Sequence, residues 1–243
     1  MTYYSKILFI SILIIIISCT KGNTQTNDSL FVHASSGLNI RKTIDPNSEI
    51  ISNIPYGEKV LPDWTKKSEI IELRIKTSRY IHNKRTPEFH LIGKMVKVNY
   101  KDVTGYVFSG FLSSFPAFDN NSSFDNFLLN EFDTCKTFRY SNYYYSDQKM
   151  YKNGVISFTQ GNGGGVQETT YIIPSISLQE GFLIAYNILR LGDKKNSDNE
   201  FPDWYIWKKG EDFIIIEGIY QLEFSATIRK TNSYISITEG TYN

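Results

Sequence analysis

Short runs in which apolar and polar residues alternate fill the chain from Leu30 to Pro116. In Leu38-Asn39-Ile40-Arg41 the apolar residues share one face and Asn39 and Arg41 the other, the period of a half-buried strand. Asp45-Pro46-Asn47-Ser48 reads as a turn, because Pro fixes φ at the second position. Ile50, Ile51 and Ile54 return to the core, Pro55-Tyr56-Gly57 turns again, and Lys59-Val60-Leu61 follows. In Gly93 to Tyr100 the pattern points Val96, Val98 and Tyr100 inward and Lys97 and Asn99 outward. A hairpin over Lys101 to Thr104 then leads into Gly105-Tyr106-Val107-Phe108 and Phe111-Leu112. Strands this short, each ended by Gly or Pro, are the pattern of a small bent antiparallel barrel. Ile71, Leu73 and Ile75 alternate with Glu72, Arg74 and Lys76, which predicts a strand inside a long insertion over residues 64–92.

From residue 117 the spacing changes. Ser123 to Glu131 fits a short helix with Phe124, Phe127 and Leu128 on one side. Ser177, with Glu180 three residues on, forms a capping box and opens a helix over 178–191; Leu178, Phe182, Ala185, Tyr186 and Leu189 line one face, and Gly192 stops it. Tyr-rich Arg139 to Tyr151, Gly154 to Thr159, Val166 to Ile173 and five further runs up to Thr238 read as strands. Phe213-Ile214-Ile215-Ile216 is apolar on both faces, which predicts a central strand. The fold class expected is therefore mainly β: a small barrel over 30–116, then an antiparallel sheet with one main helix over 117–243, an α+β arrangement.

The order Gly37-Leu38-Asn39-Ile40-Arg41, Ile54 to Val60, Gly93 to Tyr100 and Gly105 to Ser113 resembles bacterial SH3 (SH3b-type) domains. Met95 stands where that family usually has Trp, and the 64–92 segment is longer than the usual connection. The resemblance implies an SH3-like barrel that binds peptidoglycan or a wall-associated peptide. The outward residues that would line its groove are Asn39, Arg41, Tyr56, Met95 and Tyr106. Each is also ordinary strand surface on a structural reading.

The first residues look like delivery. Lys6 precedes an apolar run from Ile7 to Ile17, too short to span a bilayer of roughly 30 Å, and Ser18-Cys19 follows. A small residue and then Cys after an apolar core resembles a lipoprotein signal, which implies cleavage after residue 18 and lipidation at Cys19. Thr20 after that Cys implies the outer membrane, facing the periplasm or the cell surface. Residues 19–29 then form a flexible tether.

Charge changes this picture little. The formal net charge is +1, so no global field points to nucleic acid. Locally, Lys66 to His90 holds seven Lys or Arg against three Glu, either a solvated loop or a basic lip that meets carboxylates or phosphates. The glycines in Gln160 to Gly165 lack the Gly-Lys-Ser/Thr ending of a phosphate loop and read as a hairpin loop.

Catalysis finds no constellation. Cys135 would be a nucleophile, but no His follows His90, and Cys135 reads as a small buried apolar residue. His33, His82 and His90 lack metal-ligand spacing. Glu168 and Glu180 are carboxylates without pairing evidence for glycan cleavage. The expectation is a lipid-anchored binding protein, not an enzyme, with no cofactor and no metal. The alternative is a surface lipoprotein that contacts another protein through its Tyr-rich second part; a wall hydrolase ranks third.

Overall fold

A computed structural model describes residues 29–65, 69–76, 80–81, 84–85, 89–118, 123–141, 144–162, 166–189, 191, 204–208, 210–218 and 224–242. The N-terminal region holds β1 (Leu30–Val32), β2 (Leu38–Arg41), β3 (Ile50–Ile54), β4 (Lys59–Val60), β5 (Pro62–Asp63), β6 (Ile70–Lys76), β7 (Tyr80–Ile81), β8 (Lys84–Arg85), β9 (Phe89–Tyr100), β10 (Val103–Phe108) and β11 (Leu112–Ser113). Besides a two-stranded ribbon, β7-β8, pairing sorts them into a three-stranded sheet, β11-β1-β4, and a larger one, β3-β2-β10-β9-β5, with β6 also paired to β9. Both sheets are open, which corrects the expected SH3-like barrel. The edges β3 and β5 do not pair with each other, and β4 leaves for the other sheet, so no ring of hydrogen bonds closes.

Strand β9 is the reason the resemblance misleads. It runs for twelve residues, and its two ends serve different cores. Val96, Val98 and Tyr100 join Val32, Ile40, Ile54 and Val107 in a small N-terminal core, as the alternation predicts. Phe89 and Leu91, at the other end, belong to the large C-terminal core, and the Phe89 ring lies 4.6 Å from that of Phe182. The segment over 64–92 is therefore no loose insertion at its two ends. The antiparallel pair β6–β9 reaches from one region into the other.

The C-terminal region repeats one plan. Helix α1 (Phe124–Phe132) precedes β12 (Thr134–Ser141), β13 (Tyr144–Tyr151), β14 (Ile156–Asn162) and β15 (Val166–Pro174). Helix α2 (Leu178–Ile188) precedes β16 (Trp204–Lys208), β17 (Phe213–Gly218), β18 (Phe224–Lys230) and β19 (Tyr234–Tyr242). The two meanders join through their last strands into one open antiparallel sheet, β12-β13-β14-β15-β19-β18-β17-β16. At the seam Thr170 lies opposite Thr238, and their hydroxyls are 2.9 Å apart. The molecule is thus mixed α+β, with two helices among the described residues and open sheets throughout.

Two details depart from the sequence pattern. Strand β17 is next to the edge strand β16, not central: Ile214 and Ile216 are fully buried, while Phe213 and Ile215 on the other face are only half-buried. Helix α2, expected to bury one face, buries Phe182, Leu183, Ile184, Ala185 and Asn187, because it is sandwiched between the sheet and the N-terminal region. Gly181 permits that approach. A Cβ there would sit 2.7 Å from Ile235 Cγ2 and 3.1 Å from Ile228 Cγ2.

Candidate functional site

The first turn of α2 is the joint between the regions. Ser177 caps the helix by accepting from the Glu180 N–H, while the Ser177 N–H donates to Glu180 Oε2 at 2.9 Å, so the capping box predicted from sequence is formed. The other oxygen of the same carboxylate reaches out of the helix. Glu180 Oε1 accepts from Ser114 N–H at 2.7 Å, Ser114 O–H at 2.8 Å and Ser113 O–H at 3.0 Å. Burial alone would push this carboxyl up, but the backbone and hydroxyl donors of Ser177 and Ser114 outweigh it and hold the group below its ordinary range. Gln179 completes the joint: its Oε1 accepts from Ile92 N–H at 2.7 Å and its amide N–H donates to Gly110 O.

Two turns further along α2, Asn187 meets His33. The His33 ring is almost fully buried; its Nε2 lies 2.9 Å from the Phe115 carbonyl and its Nδ1 3.4 Å from Asn187 Nδ2. A carbonyl only accepts, so Nε2 carries the proton and Nδ1 accepts from the Asn187 amide. Burial drives the His33 pKa down to about 4, against the opposing pull of Phe115 and Glu180, so the ring is neutral at ordinary pH.

Between this joint and β2 lies a groove of about 460 Å³. Its floor is apolar, made by Met95, Phe108, Phe111, Phe182 and Leu183, and Ile71 and Leu73 form one wall. Asn39, Arg41, Ser35 and Ser36 make the polar rim, and Gly37 holds the rim loop with φ +80°, a conformation that favours glycine. Arg41 is the one ionic side chain among the described lining residues. Its Nη1 donates to the Ser48 carbonyl, which ties the guanidinium to the turn at Asp45 to Ser48.

Of the five residues proposed from sequence, Asn39, Arg41 and Met95 come together here. Met95 is buried beneath the groove, on the strand face opposite Val96. Tyr56 does not line the groove; its hydroxyl donates to the Phe118 carbonyl at 2.8 Å and its ring meets His33 edge-on, a structural role. Tyr106 sits opposite Arg41 on β10, half-buried, and is not among the lining residues. Sequence reasoning missed the contribution of α2. The helical face containing Phe182 and Tyr186 was legible, but nothing local shows which distant strand it meets.

The remaining candidates stay apart. Glu168 accepts from Gln160 Nε2 on the neighbouring strand and is remote in the fold from Glu180, so the two are no catalytic pair. Cys135 is half-buried, not the buried apolar residue expected. His90 lies 3.2 Å from Glu72, and His82 is outside the described residues, as are Cys19 and Gly163 to Gly165. Among the described residues no group of three or more His, Cys, Asp or Glu is placed to hold a metal ion, and no helix is long and apolar enough to cross a membrane.

A second, half-buried polar cluster lies beneath α1. Lys149 Nζ contacts Asp125 Oδ2 at 2.5 Å and Asp147 Oδ2 at 3.9 Å. Asp125 Oδ1 and Asp147 Oδ1 are buried without a hydrogen-bond partner among the described residues. Nearby, the Tyr171 hydroxyl donates to Glu239 Oε1 at 3.3 Å. Burial, with Asp125 adding like charge, pushes Glu239 up to about 7 despite that hydrogen bond.

Compared with protein-family models, with curated proteins and with solved structures, the chain matches none. The readings that rested on likeness, an SH3b-type domain and a lipoprotein signal, therefore have no relative behind them. The open sheets overturn the first outright.

Proposed function

We propose that the chain is a binding protein that holds a peptide, such as a cell-wall stem peptide, in the groove between its two regions and does not transform it. The observation that carries this reading is the groove itself. A preformed concave surface of about 460 Å³, apolar at the base with a few polar groups at the rim, has the make-up of a ligand site. The titratable groups behind it argue for holding over chemistry. His33 and Glu180 have their polar atoms committed to the joint, and neither offers a base or an acid to a bound ligand.

The test is retention on isolated peptidoglycan and calorimetric titration with soluble wall peptides, using the full chain and the Leu73→Asp variant. Leu73 is 39% exposed on the groove wall, so its replacement leaves both cores alone. Retention lost in that variant supports the reading; retention unchanged by it, or a clearing zone in a wall zymogram, overturns it. A second reading, contact with another protein, is favoured by Ile70 and Ile92, which stand 64% and 52% exposed on the β6–β9 pair. Paired Ile70→Asp and Ile92→Asp changes separate the two, since neither residue lines the groove.

A further inference from the structure

The groove has a polarity of its own that narrows what fits. Among the described lining residues there is one positive charge, Arg41, and no carboxylate, so an anion placed there meets attraction and no like charge from them. The Ser48 carbonyl takes one of the five guanidinium N–H groups and thereby fixes the plane of the fork. The remaining N–H groups are of the kind that pairs with a carboxylate in two parallel bonds. Asn39 is arranged to help: its Oδ1 already accepts from Asn53 Nδ2 at 3.0 Å, which leaves its own amide N–H groups as donors. Away from this corner the surface is Met95, Phe108, Phe111 and Phe182, with no charge to solvate a second ionic group. The volume is in the lower part of the range for small-molecule sites, enough for the end of a chain and too little for a long segment.

Resting on the reading of the groove as a peptide site, we propose that it captures a free carboxyl terminus, with the terminal carboxylate on Arg41 and an apolar last side chain on the Met95–Phe108–Phe182 floor. A single fork suits a monoanionic carboxylate. An internal stretch of peptide would leave Arg41 unpaired and cover the floor with backbone amides that find few partners there.

The experiment titrates the full chain with N-acetyl-alanyl-alanyl-phenylalanine as the free acid and as the terminal amide, by calorimetry, for the native protein and for Arg41→Gln, Arg41→Lys and Leu73→Asp. The expected result is that the acid binds the native protein about tenfold or more tightly than the amide, the scale of a charge-assisted hydrogen bond. Arg41→Gln should erase the difference, Arg41→Lys should keep part of it, and rising salt should shrink it. Equal affinity for acid and amide, or a preference that survives Arg41→Gln, overturns the proposal while the groove reading stands. Failure of both peptides to bind overturns it too. An acid preference untouched by Leu73→Asp places the ligand elsewhere and removes the groove reading with it. Should Arg41→Gln fail to fold, the acid-to-amide ratio of the native and Arg41→Lys proteins decides.

Discussion

Glu180 and Glu239 are the same residue in two interior places, and the protein treats them in opposite ways. Glu180, at the joint between the regions, accepts from the backbone or hydroxyl groups of Ser113, Ser114 and Ser177, so its ionised form is the one the fold is built around. Glu239, in the sheet beneath α1, accepts from the Tyr171 hydroxyl and faces Asp125, so its neutral form is the one the fold tolerates. The lesson is that depth alone does not set the charge of a buried carboxyl. Donors do, and α2 with β11 supplies them where the sheet does not.

The largest expected effect comes from removing the satisfied member. Glu180→Ala keeps the Ser177 cap on the residue 180 N–H but removes the carboxylate half of the capping box and leaves the Ser177 N–H and the Ser113 and Ser114 donors without their acceptor, so chemical denaturation should show a loss of about 3 kcal/mol. Because the folded pKa of Glu180 is depressed, its contribution is complete above the ordinary carboxylate range and fades as pH falls through the lowered value. Glu239 runs the other way. Its folded pKa lies near 7, so stability falls as pH rises from the ordinary carboxylate range to about 7. Glu239→Gln should therefore stabilise at pH 8 by about 1–3 kcal/mol and change little at pH 5, measured by urea unfolding at the two pH values.

His33 sharpens the contrast. With its pKa lowered to about 4 from 6.5, it favours the folded chain above pH 6.5 and takes that stability away as pH falls toward 4. This slope is opposite in sign to that of Glu239 over most of the same interval. The native chain should thus show a shallow profile there. Glu239→Gln should uncover a rise with pH and His33→Gln a fall, each of at most about 3 kcal/mol across the window, read from unfolding midpoints.

Smaller effects follow from packing and from the neighbouring charge. Gly181→Ala adds a methyl where Ile235 and Ile228 already stand, so it should cost about 1–2 kcal/mol although alanine favours helix; a gain in thermal midpoint would contradict the close approach. Asp125→Asn removes like charge near Glu239 and should lower the Glu239 pKa by a fraction of a unit, followed by carboxyl NMR titration.

What the chain disclosed about itself was local. The capping box at Ser177 and Glu180, the alternation through Val96, Val98 and Tyr100, and the α1 stripe of Phe124 and Leu128 are set by neighbours within a few residues, and each is seen in the structure. The barrel was not there to be read. Alternation reports which face of a strand is wet, but says nothing about whether the edges of a sheet meet, and β3 and β5 do not. The same limit explains the candidate site. Strand pattern is local and reaches Asn39, Arg41 and Met95, while the α2 side of the groove depends on residues distant in the chain and the His33–Asn187 contact spans 154 positions.

The twelve residues of β9 also set an order of events during synthesis. Phe89 and Leu91 leave the ribosome well before Phe182, the aromatic partner of Phe89, has been made. Until α2 emerges and docks, one end of that strand has a finished home and the other offers bare hydrocarbon to solvent or a chaperone. The nascent N-terminal region is in this sense a half-built wall, complete only when the last third of the chain arrives to lean on it.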